Sequence, residues 1–257
     1  MAASLARVRA LLGAAVVGVD PGIDTANRLC TACVDLLDVD GAAISLVADG
    51  RTQGTFGASS DLSRRLDEYQ FTYGEGPCLD ASRDRRAVLV PDLEAAGASR
   101  WPGFTDAVLA DGVRAVFALP IMVTTVCVGA LDLFRAAPGA LSDTHLAGGV
   151  LAAELAALPL LDLAGDVRGR DTATVGADED GWTRLDELDR LEVHQATGML
   201  IAGLDIGPAE ALLRLRAHAV ATGRTASEVA WAIVERRLVL DRDPPAGTAD
   251  PTEGTTS

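Results

Sequence analysis

Apolar and polar positions repeat with two different periods along this chain, and the change of period divides it. Leu5, Val8, Leu12, Ala15, Val16 and Val19 fall on one helical face, and Asp24–Asp38 repeats that spacing. GAAISLVADG follows, where Asp49-Gly50 predicts a hairpin turn between strands over Ala42–Val47 and Thr52–Ala58. A polar helix is expected around Leu62–Tyr69, then the loop YGEGPCLDA and a short strand over Ala87–Val90. WPGF and a short helix lead to strand runs at Val116–Val123 and Val126–Phe134. Pro138-Gly139 breaks the chain, and Ser142 can cap a helix reaching about Leu158. The pattern is α+β: an antiparallel sheet with flanking helices over residues 1–163. Long helices from both ends would cover one face, and the other face would cup a pocket beneath the loops.

Periodicity fades over residues 164–181, AGDVRGRDTATVGADEDG, which predicts a linker. From Trp182 to Leu240 the pattern is helical throughout. Leu185, Leu188, Leu191, Ala196, Met199 and Leu200 line one side of a first helix. Pro208 opens a second, with Leu212, Leu215 and Ala219 inward and Gly223 as its stop. Thr225-x-x-Glu228 is a capping box for a third, with Val229, Ile233 and Val234 inward. Residues 182–242 therefore read as a three-helix bundle and residues 243–257 as a disordered tail.

Charge changes the picture next. The net charge is −15, and all 22 basic residues are Arg. Chemistry that needs a lysine, such as P-loop nucleotide hydrolysis or a phospho-acceptor receiver domain, is excluded. So is a general coat for nucleic acid or membrane surface, because phosphate affinity scales with the cations offered. Eight of the arginines lie in residues 182–242 against nine of the 37 acids, so the bundle is near neutral inside an acidic protein. Arg7 and Arg9 precede a short apolar run, but no A-x-A site follows, and no run reaches the length of a membrane span. A cytoplasmic protein is expected, with no membrane partner.

Four cysteines, Cys30, Cys33, Cys78 and Cys127, do not make a disulfide framework in a chain of 257 residues. Cys30-x-x-Cys33 sits on an amphipathic helix rather than a strand-to-helix turn, so two small buried residues are expected there. Zinc needs about four ligands, and the one histidine in this half, His145, lies far off in sequence. No metal and no cofactor are expected.

Two resemblances now stand on residues already quoted. LLDVDGAAISL, YGEGPCLDA, VLVPDL, RWPGF, GVRAVFALPI and VGALDLF resemble GAF domains of the actinobacterial type, over most of residues 24–160. VHQATGMLIAGLDIGPAEALLRLRAHAVATGRTASEVA resembles the ANTAR domain. In this order the two look like GAF-plus-ANTAR transcriptional regulators. ANTAR domains bind RNA, typically paired hairpins in nascent transcripts, and favour antitermination. GAF domains are commonly small-ligand sensors or dimerisation modules. The resemblance thus implies a signal-responsive antiterminator, not an enzyme. One departure is Thr197, where many ANTAR sequences carry Lys before the glycine.

The implied RNA contacts are His194, Gln195, Thr197 and Gly198 on the first helix, Arg214 and Arg216 on the second, and Arg224 and Trp231 at the third. Unpaired loop bases accept stacking and edge-on hydrogen bonds, so recognition of this kind needs few cations. Gly198 suits either tight helix packing or close approach of a sugar-phosphate backbone. Arg214 and Arg216 diverge by two positions, so one is expected to pair with a carboxylate and the other, Arg216, to meet RNA. Trp231 can stack a base or join the core. Two hairpins require two bundles, so a homodimer is expected, helped by the leucine stripe at 185, 188 and 191.

In the first domain, Gly74, Glu75, Gly76, Pro77 and Cys78 are the candidate ligand loop. Two glycines permit positive φ, and Pro77 can start a helix whose amides suit an anionic or carbonyl-bearing ligand. A loop held in that shape for packing alone is the other reading. Two alternative functions stay open: a ligand-sensing or protein-interaction regulator without RNA binding, and a thiol-dependent enzyme on a GAF scaffold.

Overall fold

The computed structural model describes residues 4–17, 22–48, 50–96, 100–170 and 190–240. Helices α1 (Leu5–Val16) and α2 (Ile23–Leu36) lead into the hairpin β1 (Gly41–Ala48) and β2 (Arg51–Ala58). Then come α3 (Asp61–Tyr73), α4 (Pro77–Asp84), β3 (Val88–Val90), α5 (Leu93–Ala96) and α6 (Pro102–Ala110). The strands β4 (Ala115–Val123) and β5 (Val126–Arg135) precede a long helix, α7 (Asp143–Arg170). The bundle is α8 (Leu191–Leu204), α9 (Pro208–Thr222) and α10 (Ala226–Val234).

The five strands form one antiparallel sheet in the order β2-β1-β5-β4-β3. Strand alternation sorts the apolar residues into two cores. Ala42, Ile44, Phe117, Leu119, Leu131 and Leu133 face α1, α2 and α7. Ala43, Val116, Ala118 and Phe134 face the opposite way, onto Leu66, Ala81, Trp101 and Phe104. The terminal helices cover one face as expected. The other face is no open cup: α3, α4 and α6 close it with a second core.

Two boundaries differ from the sequence expectation. The long helix continues through Pro159 to Arg170, across the first residues read as linker. Apolar and helix-forming residues on both sides carry the helix past the proline, which costs one hydrogen bond. The bundle's first helix starts at Leu191, after Arg190 takes a left-handed conformation with φ 46°. Leu185 and Leu188, two of the three leucines of the expected dimer stripe, and the tail from 243 lie outside the described residues. The other helix signals hold: Pro208 is at the first position of α9, Gly223 ends it with φ 64°, and both bonds of the Thr225–Glu228 capping box are present.

Among the described residues no single helix is long and apolar enough to cross a membrane. The bundle has its own core of Val193, Ala196, Leu200, Leu215, Val229 and Ile233. One residue of the sheet domain joins that core: Phe71, near the end of α3. The two halves meet there.

Candidate nucleic-acid interface and sensory loop

The segment 74–78 is built from the end of one helix to the start of the next. Gly74 caps α3 in the left-handed region, φ 68°, and returns its N–H to the Gln70 carbonyl. Glu75 turns away: its Oε1 accepts from the amides of Gly103 at 2.8 Å and Phe104 at 3.2 Å. These are orphan donors in the first turn of α6, so Glu75 serves as a cap for a helix 28 residues away. Gly76 has φ 144°, and a Cβ there would stand 2.5 Å from Gln70 Oε1. Only glycine fits. Pro77 opens α4, and Cys78 is fully buried.

Gln70 explains that approach. Its Oε1 accepts from the Cys78 amide at 2.7 Å, and its Nε2 donates to Asp132 Oδ2 at 2.6 Å. Asp67, one turn earlier on α3, accepts from the hydroxyls of Ser45 and Thr55. Burial pushes the carboxyls of Asp67 and Asp132 up from the ordinary carboxylate range, Asp132 most strongly, with the neighbouring Asp67 adding to it. The Cys78 amide, which a ligand in this loop would need, is thus spent on Gln70. Asp80 of the same motif binds Arg100 at 2.7 Å and Trp101 Nε1 at 3.1 Å. The segments YGEGPCLDA and RWPGF, separate in the sequence, are therefore clamped together through Glu75 and Asp80.

The thiols are not alike. Cys30 and Cys33 lie fully buried on α2; burial pushes Cys30 well up and Cys33 to about 12. Cys78 is raised too, first by burial and then by Asp132. Such thiols stay protonated at neutral pH and are poor nucleophiles. Cys127 is half-buried and points its sulfur at the Gly129 carbonyl.

On the bundle, His194, Gln195 and Gly198 are exposed on α8, and Thr197 is half-buried. Among the described residues a Cβ added at Gly198 would meet nothing within 4 Å, so this glycine serves no packing between the described helices. Trp231 stays outside the core with 51% of its surface exposed. The carboxylates nearest it along α10 are engaged: Glu228 in the capping box, Glu235 with Arg237. Arg224 donates to the Glu228 carbonyl at 2.5 Å. Arg214 pairs with Glu210 one turn before it, at 3.1 Å.

Arg216 takes a different course. Its guanidinium lies 4.4 Å over the Phe71 ring, and that of Arg190 lies 4.2 Å over the same ring. Beside them the buried Thr72 hydroxyl accepts the Ala226 amide, the first of α10, at 2.9 Å. A cavity of about 630 Å³ opens at this seam, lined by Arg51 and Gln53 of β2 together with His194, Thr197 and Arg216. The structure thus splits the eight sequence-derived residues. His194, Thr197 and Arg216 line the seam, while Trp231 and Arg224 stand on other parts of the bundle. Sequence reasoning missed Arg190 and Phe71. No local motif marks either, since their roles exist only where the two halves touch.

Comparison with known proteins gives the same architecture for the first half. Residues 23–160 match the family model described as GAF domain. The GAF domain of an Acinetobacter phosphoenolpyruvate-protein phosphotransferase superposes with a TM-score of 0.51 at 12% identity, covering 65% of this chain and 99% of that one. The corresponding domain from Coxiella burnetii gives 0.51 and 12%, covering 64% and 97%. Free methionine-R-sulfoxide reductase from Neisseria meningitidis gives 0.48 and 14%, covering 63% and 96%. For the two phosphotransferase domains, at 12% identity, the likeness is one of fold. No curated protein matches the chain. With its five-stranded antiparallel sheet, flanking helices and a family match over more than half its length, the chain belongs to the GAF domain family.

Proposed function

We propose that this protein is an RNA-binding antitermination regulator, in which α8–α10 bind paired hairpins in nascent transcripts under control of the GAF domain. The observation that carries the reading is the state of the HQATG motif. His194, Gln195 and Gly198 stand exposed, and Gly198 has open space where a side chain would go. Glycine inside a helix costs about 0.8–1 kcal/mol against alanine. Among the described residues no packing contact offsets that cost, whereas a sugar-phosphate backbone can approach a bare helix surface closely. Trp231 adds a flat, solvent-facing ring of the kind on which unpaired bases stack. Two hairpins call for two bundles, so the reading includes a homodimer.

Gly198 also separates binding from folding. Gly198→Leu fills only open space and removes a poor helix former, so α8 is expected to gain stability. Hairpin affinity of the full chain should nevertheless fall about tenfold or more, because the close approach is blocked. Twin-hairpin leaders recovered by crosslinking in cells, compared with scrambled versions in filter binding, supply the assay. Equal affinity for both RNAs removes the reading. A second reading, a sensor whose bundle docks on its own GAF domain without binding RNA, is favoured by the seam position of His194, Thr197 and Arg216. A thiol enzyme draws no support from Cys30, Cys33 or Cys78, which burial holds protonated.

A further inference from the structure

The seam between the GAF domain and the bundle gathers positive charge in a cavity with no carboxylate in its lining; Glu68 approaches Arg190 from outside that lining. Three of the residues lining its cavity are arginines, Arg51, Arg190 and Arg216, and none is acidic. That is unexpected in a protein with 37 acids and a net charge of −15. Arg190 is 5% exposed, and its Nη1 lies 3.9 Å from Glu68, beyond hydrogen-bond length. Among the described residues its Nε and Nη2 have no hydrogen-bond partner, nor does Nε of Arg216. Burial and the two neighbouring arginines bring Arg216 down to about 10, the opposite of what an ion-paired arginine shows. Buried guanidinium donors left unpaired are costly, and such groups are normally satisfied.

A fourth source of positive potential points the same way. Pro208 and Ala209, at the start of the 15-residue α9, line the cavity, and that helix has no side-chain cap. Its first free amides and its dipole favour an anion. The rest of the wall is apolar, from Phe71, Val193 and Leu212. At about 630 Å³ the space lies within the range of small-molecule sites, roughly 300–1,000 Å³.

We propose that this seam is a binding site for a small phosphorylated organic molecule of nucleotide size. Its phosphoryl oxygens meet Arg51, Arg190, Arg216 and the start of α9, and its organic part rests on Phe71, Val193 and Leu212. Two or more negative charges on one group match three planar guanidinium forks better than a single carboxylate does. Because the walls come from both domains, the ligand holds them together and stabilises the docked form in proportion to its occupancy. The proposal does not rest on the RNA reading, since it concerns a cavity formed within one chain.

The test uses the full chain in calorimetry with inorganic phosphate, pyrophosphate, a nucleoside triphosphate without metal, and citrate. The nucleotide is expected to bind at least tenfold more tightly than phosphate, and citrate more weakly than either phosphorylated probe of higher charge. Arg51 is exposed and takes no part in the packing on Phe71, so Arg51→Gln should leave the fold intact while weakening the nucleotide about tenfold. Arg216→Gln should weaken it further. Ligand should also slow amide exchange at the start of α9 and α10. Absence of binding by every phosphorylated probe overturns the proposal, as does binding that Arg51→Gln and Arg216→Gln leave unchanged. If a short RNA displaces the nucleotide and binds more tightly through the same arginines, the site belongs to RNA and the small-ligand assignment falls.

Discussion

Thr72 offers the cleanest way to loosen the seam without touching either core. Its hydroxyl accepts the Ala226 amide at 2.9 Å, and both residues are buried. Ala226 opens α10, so its N–H has no partner inside the helix. Thr72→Val keeps the shape but replaces the acceptor with a methyl group. A buried donor left unsatisfied costs about 1–3 kcal/mol. At 1.4 kcal/mol per factor of ten, the docked form should lose roughly five- to 150-fold in population relative to the undocked one. The contacts of Phe71 with Arg190 and Arg216 are unchanged by the substitution, so the loss is graded rather than complete. Hydrogen exchange on the full chain reads it directly. Amides of α10 should exchange faster by that factor, amides of β4 and β5 should not change, and Thr72→Ser should restore most of the protection. If docking hides His194, Thr197 and Arg216 from hairpin RNA, the same variant should raise RNA affinity by up to the same factor. Unchanged exchange along α10 in Thr72→Val would refute the claim that this bond fastens the bundle to the GAF domain.

Two further outcomes follow from the GAF interior. Gly76→Ala is expected to lower the urea midpoint of unfolding. It forces alanine to φ 144° at about 1–3 kcal/mol of strain and drives Gln70 off the Cys78 amide and Asp132; an unchanged midpoint would show the loop to be slack. The second concerns pH: burial holds Asp67, Glu68 and Asp132 above their ordinary range, so the folded chain binds more protons than the unfolded one. Their contribution is complete below the unfolded carboxylate range, near pH 4, and is lost as pH rises through the raised values. Asp132→Asn removes one of these groups, so its melting temperature should fall less between pH 4 and pH 8 than that of the unaltered chain. Parallel curves would mean that Asp132 is not the group being titrated.

Much of the fold could be read from period alone. The hairpin of β1 and β2, the runs at 116–123 and 126–134 and the Thr225–Glu228 box each depend on residues close in sequence, where pattern and turn chemistry act. Beyond the two helix boundaries, what local pattern missed shares one physical cause: it depends on contacts between distant segments. Glu75 looks like a loop carboxylate until Gly103 and Phe104 bring their amides to it. Gly74 and Gly76 leave a ligand and a packing reading open until the Gln70 bond to the Cys78 amide supplies a packing role for the loop. Arg214 and Arg216 were separable by helix geometry, and one does pair with a carboxylate, Glu210. That Arg216 would lie against Phe71, a residue of another domain, left no trace in the local sequence.

Phe71 and Thr72 follow Gln70 directly on α3, and this adjacency ties the two halves of the molecule mechanically. Successive residues on a helix point about 100° apart, so one rigid rod presents different faces to different neighbours. Asp67 and Gln70 point into the sheet domain, where they hold Ser45, Thr55, Asp132 and the Cys78 amide. Phe71 and Thr72 point into the bundle, against Arg190, Arg216 and Ala226. Gly74, the last cap of the same helix, comes within 3.6 Å of Arg216 Nη1 when a Cβ is built on it. A rotation of α3 that breaks the Gln70 bridge must therefore also move the Phe71 ring beneath both guanidinium groups. Coupling between distant sites needs an element with interactions at both ends whose free energies differ between two states. Only α3, among the described helices, has buried polar bonds to the sheet domain and to the bundle at once. Arg190, the first described residue after the linker, adds a contact with the Phe71 ring and an approach to Glu68. Under the proposed regulation, communication between a GAF signal and the bundle would run through the register and tilt of this one thirteen-residue helix.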